Sequence, residues 1–228
     1  IDQDFYELGE KKSKQYLDND QVGTHLRWEV VIKKMKELYP KLYVKQVDRN
    51  LLLNYKEYLE KLGNNHNTIH QNFKVIKAIY QEAVKLGITK ENPFYDLGLK
   101  QTPSDKARLD LDEIKKIEAL SYPIGSNLYL AQKTFLFAFY CWGIRFSDVV
   151  LLKWKNIDGD VLSYSTSKSG FKKNITQKMH KKAIEILKEF NIEYINEDQK
   201  NNAYVFRVIK NKYETKLEYE KAKGSINA

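Results

Sequence analysis

At 228 residues the chain has room for one large domain or two of ordinary size. Hydrophobic residues make up 42% and aromatics 13%, which is enough to build cores and too much for a disordered chain. The net charge of +9 comes with a single cysteine, so an intramolecular disulfide is excluded, and no apolar run approaches the ~20 residues that span a bilayer.

The first hundred residues read as four amphipathic helices. The first covers 4–17, with Phe5, Leu8 and Tyr16 as its apolar face. The second runs from Thr24 to about Tyr39, where Pro40 stops it, and Val31, Met35 and Leu38 keep helical spacing. Asp48 caps the third, whose stripe is Leu51, Leu52, Tyr55 and Leu59. Asn67 or Thr68 is expected to cap the fourth, which buries Ile69, Phe73, Ile76, Tyr80 and Ala83 before Gly87 ends it. Four such helices with short connections make a bundle.

Periodicity is then lost. Asn92-Pro93 closes the bundle, and 95–108 reads as an exposed interdomain linker. The next unit opens on Asp110 and Glu113, a capping-box spacing ahead of Ile114 and Ile117. A helix over about 128–142 is apolar nearly all round and is expected to be a core element. Gly143 breaks it, and Ser147 is placed to cap a short helix reaching Leu152. From Asn156 the period becomes strand-like: 161–166 alternates, Gly170 marks a turn, and 172–177 returns with Ile175 inward. Helix resumes over 180–190, and 203–209 reads as a short extended segment. The expected fold is mostly α: a four-helix domain at 1–100, then an α+β domain at 107–228 with a small antiparallel sheet.

Charge narrows the function. Only five of the 39 basic residues are Arg (Arg27, Arg49, Arg108, Arg145, Arg207), so a lysine-rich composition accounts for much of the excess. It does not account for where the lysines sit. The stretch 61–81 holds no carboxylate, and 153–188 carries nine Lys against Asp158, Asp160 and Glu185. Two local basic excesses point to a polyanion, because Lys neutralising phosphates releases condensed counterions. The four histidines, His25, His66, His70 and His180, have no metal-ligand spacing, and no cofactor motif occurs.

Three patches in fixed order carry a family likeness. The first is Gly143-Ile-Arg145-Phe-Ser147-Asp148, followed by Leu152-Lys-Trp154 and Ile157-Asp158. The second is the hairpin with Lys168-Ser169-Gly170 at its tip, although Thr more often follows that lysine in the family. The third runs from Asn67-Thr-Ile to Asn92-Pro-Phe94. Together they resemble the tyrosine recombinases of the phage integrase family.

The resemblance implies a helical core-binding domain and a catalytic domain that close on double-stranded DNA. A tyrosine attacks a phosphodiester, leaving a 3′-phosphotyrosyl link, and the full protein works as a homotetramer. It also implies roles. Arg145 would clamp the phosphorane oxygens with a rigid, always-charged fork that Lys cannot supply. Lys168 would protonate the leaving 5′-oxygen, with Lys172 and Lys173 as rivals. Asp148 would hold the Arg145 fork or stabilise a helix N-terminus. His70, Lys74, Lys77 and Gln81 would face DNA, with Lys172 and Lys173 as further contacts. A surface arginine, a solvated turn lysine and a solvated helix face are the plainer alternatives.

The family's later His-x-x-Arg box and tyrosine nucleophile are not in this sequence: no His follows His180, and only Arg207 follows Arg145. Tyr204, Tyr213 and Tyr219 lack the family's context, and none is nominated. The reading is therefore a C-terminally truncated recombinase that binds DNA without cutting it. A naturally truncated, non-catalytic DNA-binding regulator of the same fold is the alternative. No metal, nucleotide cofactor, small-molecule substrate or membrane is expected. Without a visible signal peptide, and with Cys141 unpaired, the chain reads as cytoplasmic.

Overall fold

A computed structural model of the chain describes residues 2–103, 106–166, 173–191, 197–208 and 217–221. It divides into two compact units, one of Ile1–Asp105 with Tyr213–Ala228 and one of Lys106–Lys212.

The first unit contains α1 (Phe5–Asp18), α2 (Val22–Leu38), α3 (Arg49–Lys61) and α4 (His66–Lys85). Three of these start on short polar side chains that satisfy orphan amides. Asp4 accepts from the amides of Tyr6 and Glu7, Asp48 from Leu51 at 2.7 Å, and Asn65 from Thr68 at 2.9 Å. The cap of α4 is thus Asn65, not the expected Asn67 or Thr68. Asn67 is engaged elsewhere: its side chain accepts from the Thr102 amide and donates to the Thr102 carbonyl, both at 2.9 Å. The apolar stripes meet in one core in which Leu52, Tyr55, Leu59 and Ile76 are fully buried. Gly9 allows the close approach of α1, since a Cβ there would lie 2.9 Å from the Ile79 side chain and 3.1 Å from Ile32.

The segment after α4 has no helix or strand, as expected of a linker, but up to Thr102 it is not free of the bundle. Leu97 is buried in the bundle core, Phe94 and Leu99 pack against it, and the Lys100 carbonyl lies 2.5 Å from His66 Nε2. Pro and Gly remove periodicity without removing contact, which is why the sequence reads this stretch as exposed.

The second unit contains α5 (Leu111–Ala119), α6 (Asn127–Tyr140), α7 (Phe146–Val149), α8 (Lys181–Phe190) and α9 (Glu197–Asn202). Its sheet has the order β1 (Ile157–Asp158), β2 (Val161–Ser165), β3 (Asn174–Lys178), all antiparallel. The capping box forms, with Asp110 accepting from Glu113 N and Glu113 accepting from Asp110 N. Leu162 pairs with Gln177 and Tyr164 with Ile175, which fixes the hairpin register. Phe137, Leu152, Leu162 and Phe206 centre the core, and Phe206 meets both Phe137 and Phe190 at 4.9 Å. The segment read as extended forms an isolated bridge between Tyr204 and Lys153, with Ile209 outside the described residues.

Two expectations need correction here. Helix α7 starts at Phe146, with Arg145 rather than Ser147 in the capping position and no side-chain cap bond. Helix α6 is not buried all round: Tyr129, Leu136 and Phe137 face the core, while Leu128 and Phe135 are exposed. Among the described residues no helix is long and apolar enough to cross a membrane.

Candidate nucleic-acid interface and catalytic surface

On α4 the buried and polar faces separate cleanly. Ile69, Phe73, Ile76, Tyr80 and Ala83 are buried, whereas Lys74, Lys77 and Gln81 are exposed on the other side. His70 continues that polar stripe one turn earlier, half-buried, and its Nδ1 is buried without a hydrogen-bond partner among the described residues. Among the described residues neither Lys74 nor Lys77 takes part in a salt bridge. A lysine with no carboxylate neighbour keeps its full charge for an external anion. At the N-terminus of the same helix, Asn65, His66, Asn67, Thr68, Gln71 and Thr102 line an open hollow that the sequence does not announce.

In the second unit, Arg145 is exposed at the N-terminal boundary of α7. Two left-handed residues deliver it there. Trp142 has φ +64° and Gly143 φ +78°, and the Gly143 amide donates to the Ala138 carbonyl at 2.9 Å, closing the end of α6. Gly143 takes this conformation without a Cβ clash, while Trp142 takes it at a steric cost. The Arg145 carbonyl then accepts from the amides of Asp148 at 2.8 Å and Val149 at 3.0 Å. The Asp148 side chain is buried, so the acid and the arginine carrying the family likeness are tied through one turn of backbone.

Strand β2 runs beside this turn. Burial pushes the Tyr164 phenol above its ordinary pKa, the charges of Asp148 and Cys141 push it further, and Arg145 pulls it back. Arg145 and Asp148 therefore both act on a residue of the hairpin. Cys141 itself is buried and unpaired, and burial pushes its thiol up to about 12.

The expected general acid, Lys168, lies outside the described residues, as does Lys172. Lys173 is exposed at the start of the returning arm, where its carbonyl accepts from the Thr166 amide at 3.0 Å. The hairpin pairing thus extends one residue beyond β2, to Thr166 and Lys173, on either side of 167–172. Sequence reading also missed Gln177, whose Nε2 donates to the Cys141 carbonyl at 2.8 Å. Inward alternation on β3 was its only signal. Among the described residues, no cluster of three or more His, Cys, Asp or Glu could hold a metal ion.

Comparison with known proteins bears on the fold. Residues 4–102 match the phage integrase SAM-like domain. The chain is similar in structure to the Tn1549 transposon integrase in complex with circular intermediate DNA, at TM-score 0.59 and 15% identity, over 94% of this chain and 67% of that one. A substituted form of the same integrase, on another circular intermediate DNA, matches at TM-score 0.63 and 14% identity, over 99% of this chain and 78% of that one. No curated protein matches by sequence.

Proposed function

Because residues 4–102 match the phage integrase SAM-like domain, we propose that the chain is a tyrosine recombinase of the phage integrase family that grips duplex DNA for site-specific strand exchange. The observation that carries this reading is the α4 face, where Lys74, Lys77 and Gln81 stand exposed with no carboxylate in the whole stretch 61–81. Phosphate contacts from such a face position the protein on DNA, and Gln81 and His70 can add contacts to base edges. The core-binding domain is assigned to 1–100 and the catalytic domain to the stretch from 107 onward. The full recombinase would act in the cytoplasm as a homotetramer on two duplexes.

Arg145 supplies the phosphate clamp. Its exposed guanidinium on a short, tightly bonded turn can meet two equatorial oxygens of the phosphorane, and charge developing there is stabilised by a donor already in place. Lys168, between Thr166 and Lys173 in sequence, would give a proton to the departing 5′-oxygen. Asp148 would orient the arginine turn. Lys172 and Lys173 would contact the flanking phosphates. No His-x-x-Arg box lies within these 228 residues, which taken alone would bind DNA without cutting it. The alternative is a non-catalytic DNA-binding regulator of this fold.

Titration of duplex DNA against this chain tests the binding. Affinity should fall by about a thousandfold or more between roughly 50 and 200 mM salt if six or more phosphates are neutralised. A flat salt curve would exclude the interface, and a covalent adduct formed by these 228 residues would exclude the non-cleaving assignment. In the full recombinase, Arg145→Lys keeps the charge and loses the fork, so cleavage should drop by about 10²–10³ while affinity holds. Lys168→Ala should cleave slowly and recover on DNA with sulfur at the leaving position, which needs no proton. Loss of cleavage by Arg145→Lys would separate the recombinase from the regulator.

A further inference from the structure

The turn that presents Arg145 and the strand β3 are fastened by two reciprocal hydrogen bonds. Gln177 Nε2, on β3, donates to the Cys141 carbonyl at 2.8 Å, and Trp142 Nε1, on the turn, donates to the Lys178 carbonyl at 3.4 Å. Each segment gives one side-chain donor and one main-chain acceptor, from residues adjacent in sequence. Cys141 ends α6, where helical carbonyls lose their i+4 partners, and Gln177 supplies the missing donor.

Packing alone does not explain Trp142. Its side chain is 77% exposed, and it holds φ +64°, a conformation costing a non-glycine residue on the order of 1–3 kcal/mol. Strain of this kind persists where surrounding contacts over-determine it, and this ring donates its N–H to the Lys178 carbonyl. On the other side, Gln177 occupies an inward position of β3 paired with the fully buried Leu162, a register at which an apolar residue would be ordinary. Both residues are unusual for their positions, and both are used in the same clasp.

We propose that Gln177 and Trp142 are positioning residues that lock the Arg145 turn to the β2–β3 hairpin, so that the phosphate clamp keeps one geometry relative to the hairpin strands during strand cleavage. This rests on the reading of Arg145 as that clamp. The clasp reaches both elements over short spans: Trp142 lies three residues before Arg145, and Gln177 four residues after Lys173. The turn has further support in the amides of Gly143 and Ile144, which donate to Ala138, so losing the clasp loosens the turn without unfolding it.

The test uses the full recombinase and a nicked substrate built on its own element's ends, in single turnover. Gln177→Met keeps the side-chain length without a donor, Gln177→Glu keeps the shape with a charge, and Trp142→Phe keeps a ring without its N–H. Each glutamine variant should slow cleavage about tenfold at saturating protein, with the half-saturating concentration unchanged, as a small misplacement of a charged group costs rate rather than binding. Trp142→Phe should act in the same direction and less. Combining Gln177→Met with Arg145→Lys should be no slower than Arg145→Lys alone, because the fork being positioned is already gone. Losses that multiply, or Gln177→Met cleaving at the wild-type rate while Arg145→Lys collapses, would overturn the clasp and leave the recombinase reading standing. Normal cleavage by Arg145→Lys would overturn that reading itself. If Gln177→Met fails to fold, the same cycle on Trp142→Phe decides.

Discussion

The two units treat their apolar residues differently. In the first, the large apolar side chains left in solvent form no long helical stripe: Val30 is on α2, Leu62 ends α3, Val84, Leu86 and Ile88 sit at the end of α4, and Tyr95 lies beyond. In the second, several fall in line. Leu128 (61% exposed), Phe135 (39%), Phe139 (39%) and Trp142 (77%) follow one side of α6 and its end at helical spacing, with Ile124 (88%) just ahead. Dispersed exposure is what any folded surface carries, whereas an aligned stripe is the mark of an interaction face. The first unit closes its core with its own helices; the second buries one side of α6 and leaves the other open.

The largest effect expected from this difference is on stability. Leu59 is fully buried in the first unit, so Leu59→Ala should cost about 2–5 kcal/mol of unfolding free energy by denaturant titration. Phe135→Gln, on the open stripe of α6, should stay within about 1 kcal/mol and reduce binding of a hydrophobic dye. Comparable losses at the two positions would show that the stripe is packed in solution and would remove the contrast.

The second effect is on the salt dependence of DNA binding, and it asks which unit holds the phosphates. Lys74→Ala combined with Lys77→Ala should reduce the slope of log affinity against log salt by about two, since each lost phosphate contact removes ~0.9. Arg145→Lys in the second unit should leave that slope unchanged, because the charge remains. An unchanged slope for the lysine pair would move the grip away from α4.

Much of this division is legible in the sequence. Four helices, their apolar stripes and the Asp48 cap follow from 3.6-residue spacing, and the Asp110 capping box from a three-residue offset. What spacing cannot register is whether an apolar face is covered. Helix α6 has apolar residues on both sides, so its periodicity vanishes and it reads as wholly buried, although one side of it lies in solvent. Nor can spacing register docking without periodicity. Leu97 and Thr102 sit in a stretch broken by glycine and proline, yet both are held by the bundle. Trypsin should consequently cut at the exposed Lys106 or Arg108 before Lys100, whose backbone carbonyl is engaged by His66. The Arg145 motif was visible as a string of residue types, whereas the Gln177–Cys141 bond joins positions 36 apart and left no trace in local pattern.

The smallest effect concerns how the second unit holds a helix that contributes little to its core. Within α5 only Ile114 is buried, and Leu111 is 69% exposed. A polar cluster fastens the helix instead. Lys182 Nζ, from α8, donates to both Glu118 oxygens at 2.7 Å and lies 5.1 Å over the Tyr140 ring, while the Tyr140 hydroxyl also donates to Glu118. Burial pushes the Glu118 carboxyl up, but the hydrogen bonds from Lys182 and Tyr140 outweigh it and hold the group below its ordinary 4.5. A depressed carboxylate contributes stability that is fully present above 4.5 and is lost as pH falls through the lowered value. Lys182 is raised, chiefly by its bond to Glu118, so its share is present below 10.5 and is lost only as pH rises through the raised value. Lys182 is 40% exposed and Glu118 24%, so solvent screening should keep the pair to about 1 kcal/mol or less. Glu118→Gln should thus lower stability slightly at neutral pH, and the gap to the unsubstituted chain should close as pH drops below 4.5. A gap that stayed constant down to about pH 3 would mean that α5 is held by packing around Ile114, and that the second unit relies on apolar contact as fully as the first.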